Sequence, residues 1–288
     1  MTRRRISSLP SALEREDEIA RRIGSAVPAV FLDYDGTLTP IADDPGDAVL
    51  ADETRGAIAR LKELCPVAVV SGRDLAEVRE MVGIPGIFYA GSHGFEIVEP
   101  DGTRHRRATE CLPALARSAR RLESLARQVP GAWVEHKGYA VALHYRTLEN
   151  ADDEGRVEEI VDAVAAGEPR VRKTSGKKIF ELRPDVQWDK GRALLWILET
   201  VAPEGDGLLP ICLGDDLTDE DAFRALDERG IGIVVRGDED RETAADYRLA
   251  DPDAVRGFLE ILAGILRRSR RGGPDRGPSP SRASRSSP

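Results

Sequence analysis

The sequence predicts an α/β protein: a doubly wound parallel-sheet core interrupted by a smaller inserted α+β domain. Three observations lead there. Short apolar runs alternate with segments of helical periodicity up to residue 106 and again after residue 184. Between them the rhythm changes to helices each followed by a pair of hairpin strands, the order αββαββ. Finally, the apolar runs of the outer parts stop abruptly at aspartate, serine or glycine, at the strand ends where such sheets bind ligands.

Leu13 to Ile23 places Leu13, Ile19, Ala20 and Ile23 among charges, as a short amphipathic helix does. Val30 to Leu32 is the first strand. Asp52 to Leu64 is helical, with Ile58, Leu61 and Leu64 on one side. Val67 to Val70 is wholly apolar, which suits a strand buried on both faces. Leu75 to Val82 is the next helix and Ile87 to Ala90 the next strand. Phe95 to His105 reads as a hairpin turning at Asp101-Gly102.

Within the insert, residues 107–184, Ala108 to Val129 is one long helical pattern. Trp133 to His136 and Ala140 to Tyr145 pair around Lys137-Gly138-Tyr139. Asp152 to Ala165 is a second helix, and Val171 to Lys173 pairs with Ile179 to Leu182 around Ser175-Gly176. In the second part of the core, residues 185–266, Asp189 to Val201, Asp219 to Leu226 and Ala254 to Leu266 are helices. Leu209 to Leu213 and Ile231 to Val235 are strands.

The formal net charge is −9, but the seven arginines and one aspartate of Arg267 to Pro288 leave −15 on residues 1–266. So acidic a body lacks the basic footprint that nucleic acid requires. Residues 267–288, rich in Arg, Ser, Pro and Gly, hold no core-forming residue and are expected to be disordered. Cys65, Cys111 and Cys212 lie far apart and form no CxxC, which fits reduced thiols in the cytoplasm. No apolar run approaches a membrane span, so no membrane partner is expected. The N-terminal arginines lack an apolar stretch after them, and acids begin at Glu14, which argues against a targeting peptide.

Four strand ends carry pointed chemistry: Asp33-Tyr34-Asp35-Gly36-Thr37, Ser71-Gly72-Arg73, Gly91-Ser92-His93-Gly94 and Gly214 to Asp219. One sheet edge would gather Asp33, Asp35, Asp215, Asp216 and Asp219. Repulsion and desolvation both oppose such a group unless a cation sits among them. Oxygen ligands without His or Cys at metal spacing point to Mg²⁺ rather than Zn²⁺. The Ser71 hydroxyl and the glycine-flanked amides suit phosphate oxygens. Lys190 opens a helix, where a cation opposes the dipole unless both face one anion.

These residues resemble the motifs of the haloacid dehalogenase (HAD) superfamily of aspartate-nucleophile phosphatases. Asp33 to Thr37 matches the first motif, Ser71 the second, Lys190 the third and Gly214 to Asp219 the fourth. The stretches DYDGTLTPI (Asp33 to Ile41), Gly91 to Gly94, Glu181-Leu182-Arg183-Pro184, Trp188 to Gly191 and GDDLTDEDAF (Gly214 to Phe223) narrow it. They resemble the trehalose-6-phosphate phosphatase family, from about Leu9 to Leu262.

The resemblance implies a Rossmann-like HAD core with a C2-type cap, and Mg²⁺-dependent hydrolysis of trehalose 6-phosphate through an aspartyl-phosphate. Asp33 would be the nucleophile, Asp35 the proton carrier, and Ser71 and Lys190 the binders of phosphoryl oxygens. Mg²⁺ would be held by Asp33, Asp35 through its carbonyl, and Asp215, with Asp216 or Asp219 in support. Tyr34, Gly36, Thr37, Gly72, Arg73, Ser92 and His93 would border the substrate, although His93 equally suits a loop histidine bonded to backbone. Glu135, Lys137, His144, Arg146, Lys178 and Glu181 would read the sugar, or else form a solvated hairpin face. Trehalose-6-phosphate synthase is the protein partner implied. Two rival readings stand beside this one: a phosphatase for another sugar phosphate, and a non-catalytic regulatory module of the same fold.

Overall fold

The computed structural model describes residues 4–42, 44–176, 178–203, 207–237 and 239–272. After a short strand β1 (Arg4–Arg5), the first part of the core runs α1 (Glu16–Ile23), β2 (Val27–Leu32), α2 (Asp52–Leu61), β3 (Val67–Val70), α3 (Leu75–Val82) and β4 (Phe88–Gly91). An antiparallel pair, β5 (Glu96–Val98) and β6 (Arg104–Arg106), closes it. The insert follows as α4 (Leu112–Ala126), β7 (Trp133–Lys137), β8 (Ala140–His144), α5 (Glu154–Ala166), β9 (Val171–Gly176) and β10 (Ile179–Pro184). The chain then returns to the core with α6 (Lys190–Val201), β11 (Leu208–Gly214), α7 (Asp219–Leu226), β12 (Ile231–Val235), β13 (Glu242–Thr243), β14 (Tyr247–Leu249) and α8 (Pro252–Gly272).

The core sheet has the order β14-β12-β11-β2-β3-β4-β5-β6, parallel from β14 through β4. Alternation along its strands accounts for the apolar runs. Val30, Leu32, Val67, Val69, Ile211 and Leu213 pack on the side of α1, α2, α3 and α8. Their neighbours Ala29, Phe31, Ala68, Val70 and Cys212 pack against α6 and α7. Both faces are covered, so every position must be apolar. The four-stranded sheet of the insert is wholly antiparallel, in the order β7-β8-β10-β9. Its Val141, Leu143, Phe180 and Leu182 pack on α4 and α5, leaving the alternate residues on the opposite face.

The structure departs from the sequence reading at the end of the chain. Helix α8 continues past Leu266 to Gly272, so the segment expected to be disordered from Arg267 begins as helix. Arg268 Nη2 donates to Glu16 Oε1 (2.6 Å), and Arg270 Nη2 to the Leu64 carbonyl (2.8 Å). Arginine stems and long-range acceptors thus replace the apolar contacts that periodicity detects. Residues 273–288, the rest of that expected tail, lie outside the described residues. Strands β13 and β14 were also unforeseen. They are short, and β14 takes its place only by pairing with β12.

Leu32 is fully buried and immediately precedes Asp33. Leu32→Ala is expected to lower stability by about 2–5 kcal/mol, through lost burial and the cavity left behind. Urea unfolding followed by circular dichroism checks this.

Candidate active site

Strands β2, β3, β4 and β11 end at one edge of the core sheet, and the loops that leave them meet. Asp33 is the first residue beyond β2, and its backbone N–H donates to the Leu213 carbonyl of β11 (3.0 Å). That bond ties the Asp33 loop to the loop of Asp215. At the N-terminus of α6, Asp189 caps the helix by accepting the Arg192 N–H (2.8 Å). The next residue, Lys190, sends its ammonium to Asp33 Oδ1 and Asp219 Oδ1, each at 2.8 Å. All three side chains are at least nine-tenths buried.

Asp33, Asp215 and Asp219 each offer a carboxylate oxygen within 4.8 Å of the others. Glycine makes the approach possible. Gly36 has φ +76°, and a Cβ there would stand 2.1 Å from Asp215 Oδ2. Burial pushes the Asp33 carboxyl up to about 7 although Lys190 opposes the rise, and Asp215 and Asp216 add to it. Burial, then Asp219 and Asp216, push Asp215 to about 7 as well. Burial alone would lower the Lys190 ammonium, but Asp219 and Asp33 hold it well above the ordinary lysine value. An oxygen-only set of crowded carboxylates, costly to ionise together, fits a hard divalent cation.

Asp216 stands apart from that trio. Its Oδ1 accepts the Thr218 N–H (2.8 Å), the Thr218 hydroxyl (2.7 Å) and the Asp219 N–H (3.2 Å). Lys190 and these bonds outweigh its burial and hold it below the usual carboxylate range. The Asp35 carboxylate is also outside the trio. Arg73 grips it with two N–H groups, Nε and Nη2, each at 2.7 Å, and pairs with Glu77 as well.

A cavity of about 420 Å³ lies between this edge and the insert, within the range of small-molecule sites. From the core it is lined by Asp33, Asp35, Arg73, His93, Lys190 and Asp215, and from the insert by Glu135, Lys137 and Glu181. Lys137 lies 3.3 Å from Glu135 and 3.9 Å from Glu181. The insert is seated on the core by aromatic contact: Tyr139 stacks on Phe95 with centroids 5.1 Å apart. Burial, reinforced by Arg183 and Lys190, lowers the His93 pKa well below the usual value and keeps the imidazole neutral. Its buried Nδ1 has no partner among the described residues.

The trehalose-phosphatase family model matches residues 31–253. The chain belongs to the trehalose-phosphatase family. A trehalose-phosphate phosphatase of Mycobacterium tuberculosis (strain H37Rv) is 47% identical over 271 residues, which are 92% of this chain and 68% of the relative. An uncharacterised glycosyl hydrolase of the same strain is 48% identical over 270 residues, 90% of this chain. The chain spans only 20% of that relative's length. Among solved structures, Aspergillus fumigatus trehalose-6-phosphate phosphatase superposes with TM-score 0.68 at 25% identity, over 89% of this chain and 99% of that one. This family membership carries the HAD-type core with its inserted cap.

Several residues expected to border the substrate lie away from this cavity. The Tyr34 side chain is fully buried on the core side, its hydroxyl donating to the Ala48 carbonyl (2.7 Å), so it does not border the cavity. Strand-like alternation turns it away from Asp33 and Asp35. Thr37 is buried too, with its hydroxyl 3.5 Å from Asp215 Oδ1. Ser92 is buried, and its hydroxyl reaches Asp74 Oδ1 (3.3 Å) rather than the cavity. Lys178 pairs with Glu154 of α5 (2.7 Å) and lies over the Tyr145 ring, away from the cavity. Arg146, beyond the end of β8, does not line the cavity either. His144 stands one step removed, its Nε2 2.8 Å from Glu135 Oε2. Ser71 is buried at the edge, where its oxygen accepts the Arg73 N–H (3.1 Å) and its own O–H is still a donor. Gly72 lines the cavity beside His93.

Sequence reasoning missed Asp74, Glu77 and Ile41 in the cavity wall, and Arg183, which pairs with Glu181. Signals existed for two of them. Glu77 lies one helical turn from Arg73, and Arg183 belongs to the Glu181-Leu182-Arg183-Pro184 stretch.

Asp33 and Asp215 have folded pKa values near 7 against an ordinary 3.8, so the metal-free folded state binds more protons than the unfolded chain between those limits. Metal-free stability should therefore fall as pH rises from about 4 to about 7. Thermal melting in EDTA is expected to drop across that window. Added Mg²⁺ is expected to restore it more at pH 8 than at pH 5, because cation and protons compete for the same oxygens.

Proposed function

We propose that this chain hydrolyses trehalose 6-phosphate to trehalose and phosphate through an aspartyl-phosphate on Asp33. The observation that carries this reading is the buried Asp33–Lys190–Asp219 set, whose Asp33 and Lys190 line the cavity between core and cap. It is supported by family membership and by the activity for which the 47%-identical relatives are named.

Asp33 attacks phosphorus, splitting the hydrolysis into two displacements. Lys190, held against the attacking carboxylate, neutralises charge on the phosphoryl oxygens, and the Ser71 O–H donates to one of them. Freed from Arg73, Asp35 takes up a proton from solvent, delivers it to the leaving sugar oxygen and regains one from the water that attacks the aspartyl-phosphate. Its carboxylate starts in the grip of Arg73, so the phosphate's draw on the guanidinium is what releases it. Neutral His93 contributes its ring to the wall beside Gly72 without adding charge. Asp33, Asp215 and Asp219 would hold Mg²⁺, with Asp216 bracing the loop; the ion, when bound, supplies charge neutralisation on the phosphoryl group. From the cap, Lys137, Glu135 and Glu181 offer hydroxyl partners for the sugar.

The same reading places the reaction in the cytoplasm, where three buried thiols stay reduced. No helix among the described residues is long and apolar enough to cross a membrane. The enzyme that makes the substrate, trehalose-6-phosphate synthase, is the partner the reading implies.

Phosphate release from trehalose 6-phosphate, sucrose phosphate and glucosyl-phosphoglycerate, with and without Mg²⁺, tests the reading. Trehalose 6-phosphate is expected to be preferred and the activity to need Mg²⁺; preference for another member would overturn the substrate. Asp33→Asn is expected to lower kcat by roughly a thousandfold or more with an unchanged circular dichroism spectrum. Full activity in that variant would mean another residue is the nucleophile.

A further inference from the structure

The loop that carries Asp215 and Asp216 joins β11 to α7, and it is held from both sides. On one side, Asp219 Oδ2 accepts the backbone N–H groups of Asp215 (3.1 Å) and Asp216 (3.2 Å). On the other, the Arg241 guanidinium donates from Nη2 to the carbonyls of Asp215 and Asp216, each at 2.9 Å. That nitrogen carries two N–H groups, one for each carbonyl. Donors and acceptors of the same two residues are thus taken by different segments of chain.

Arg241 is itself anchored. Its Nη1 pairs with Glu220, a residue of the first turn of α7 whose side chain is only 3% exposed. Glu220 Oε2 also accepts the Ala244 N–H (2.9 Å). The Arg241 carbonyl accepts the Ile6 N–H (3.1 Å), and the neighbouring Asp240 carboxylate accepts the N–H (2.8 Å) and the hydroxyl (2.9 Å) of Ser7. The pairing of β1 with β13 holds the same stretch. Backbone and side chain of Arg241 are therefore fixed independently of any ligand.

A buried ion pair such as Arg241 with Glu220 is a weak source of net stability. What it adds is position. Asp33, Asp215 and Asp219 repel one another while no cation sits among them, and the four-residue loop 215–218 offers a way to relieve this by swinging Asp215 outward. A charge-assisted fork on two consecutive carbonyls removes that freedom, so an arriving cation meets oxygens already in place.

We propose that Arg241 is a positioning residue that preorganises the Asp215–Asp216 loop for its divalent cation. It does not line the cavity and acts through the backbone it holds. This rests on the reading of the acid cluster as a Mg²⁺ site.

The test titrates Mg²⁺ into the EDTA-stripped chain by isothermal calorimetry, with circular dichroism as the check of folding. Arg241→Ala is expected to weaken Mg²⁺ binding about tenfold, the lower end of the range for residues that orient metal ligands. Arg241→Lys keeps the charge beside Glu220 but cannot fork two carbonyls, and is expected to weaken binding by less. Arg22 supplies the control. It too holds a carbonyl, that of Gly230 (2.6 Å), and pairs with Asp246 (3.2 Å), but at the start of β12, the edge opposite the acids. Arg22→Ala is expected to lower the melting temperature and leave Mg²⁺ affinity unchanged. Unchanged affinity in folded Arg241→Ala, with the parent binding Mg²⁺, overturns the positioning role alone. Equal weakening in Arg22→Ala also overturns it, since the loss would then come from a loosened fold. Should Arg241→Ala fail to fold, Arg241→Lys decides, and affinity at the parent value overturns the role. A parent chain that hydrolyses trehalose 6-phosphate without binding Mg²⁺ overturns the metal reading and the positioning role with it.

Discussion

The buried ammonium of Lys190 between Asp33 and Asp219 is the interaction on which the site depends. Two carboxylates brought this close in a place without solvent would protonate or separate, and a lone ammonium there would lose its proton. Held between them, the ammonium stays charged and offsets part of the burial that pushes both carboxyls up, but only if three separate pieces of chain arrive in register. Those pieces are the end of β2, the start of α6 and the start of α7, all anchored on one sheet. A buried ion set is a poor source of net stability, because desolvation consumes most of the Coulomb gain. Its persistence therefore points to chemistry, and the apolar layers on both sides of β2 and β11 supply the stability that holds it.

The acids around this lysine differ because their surroundings differ. Asp33 and Asp215 are crowded and pushed up to about 7, whereas Asp216 is kept low by Lys190 and by the bonds it accepts at the start of α7. Asp35, two residues from Asp33, is held by a guanidinium instead of an ammonium. One run of similar side chains thus separates into a buried cluster suited to a cation, a loop brace and a carboxylate with a releasable partner. The cap adds a second, uncharged requirement. Tyr139 packed on Phe95 seats the β7–β8 turn on the core and carries Lys137 to the edge of the acids. Gly138 in that turn has φ +50°, and a Cβ there would come 3.1 Å from Asp74 Oδ1, so a side chain would add backbone strain and push the Asp74 carboxylate aside.

Much of this was legible in the residues. The strands of the core are continuous apolar runs because helices cover both faces, and short runs of that kind are characteristic of a parallel sheet. Acids at their ends signalled the site for the same reason: only a ligand-binding edge tolerates them. Less legible were features whose cause lies far away in sequence. The last turns of α8 are held by Glu16 and by the Leu64 carbonyl. The inward turn of Tyr34 depends on the Ala48 carbonyl. In the cap, charged side chains on hairpins looked equivalent, but Lys178 is drawn to Glu154 of the helix layer while Lys137 is drawn to Glu135 and Glu181.

By itself, then, the sequence determined the fold class, the order of the elements and the set of chemically able residues, because periodicity and strand-end chemistry are local properties. Tertiary structure decided which of those residues share a site, and which carboxylates crowd and which are capped. Such outcomes depend on distances between segments up to 186 positions apart, as from Asp33 to Asp219, and no local pattern encodes them.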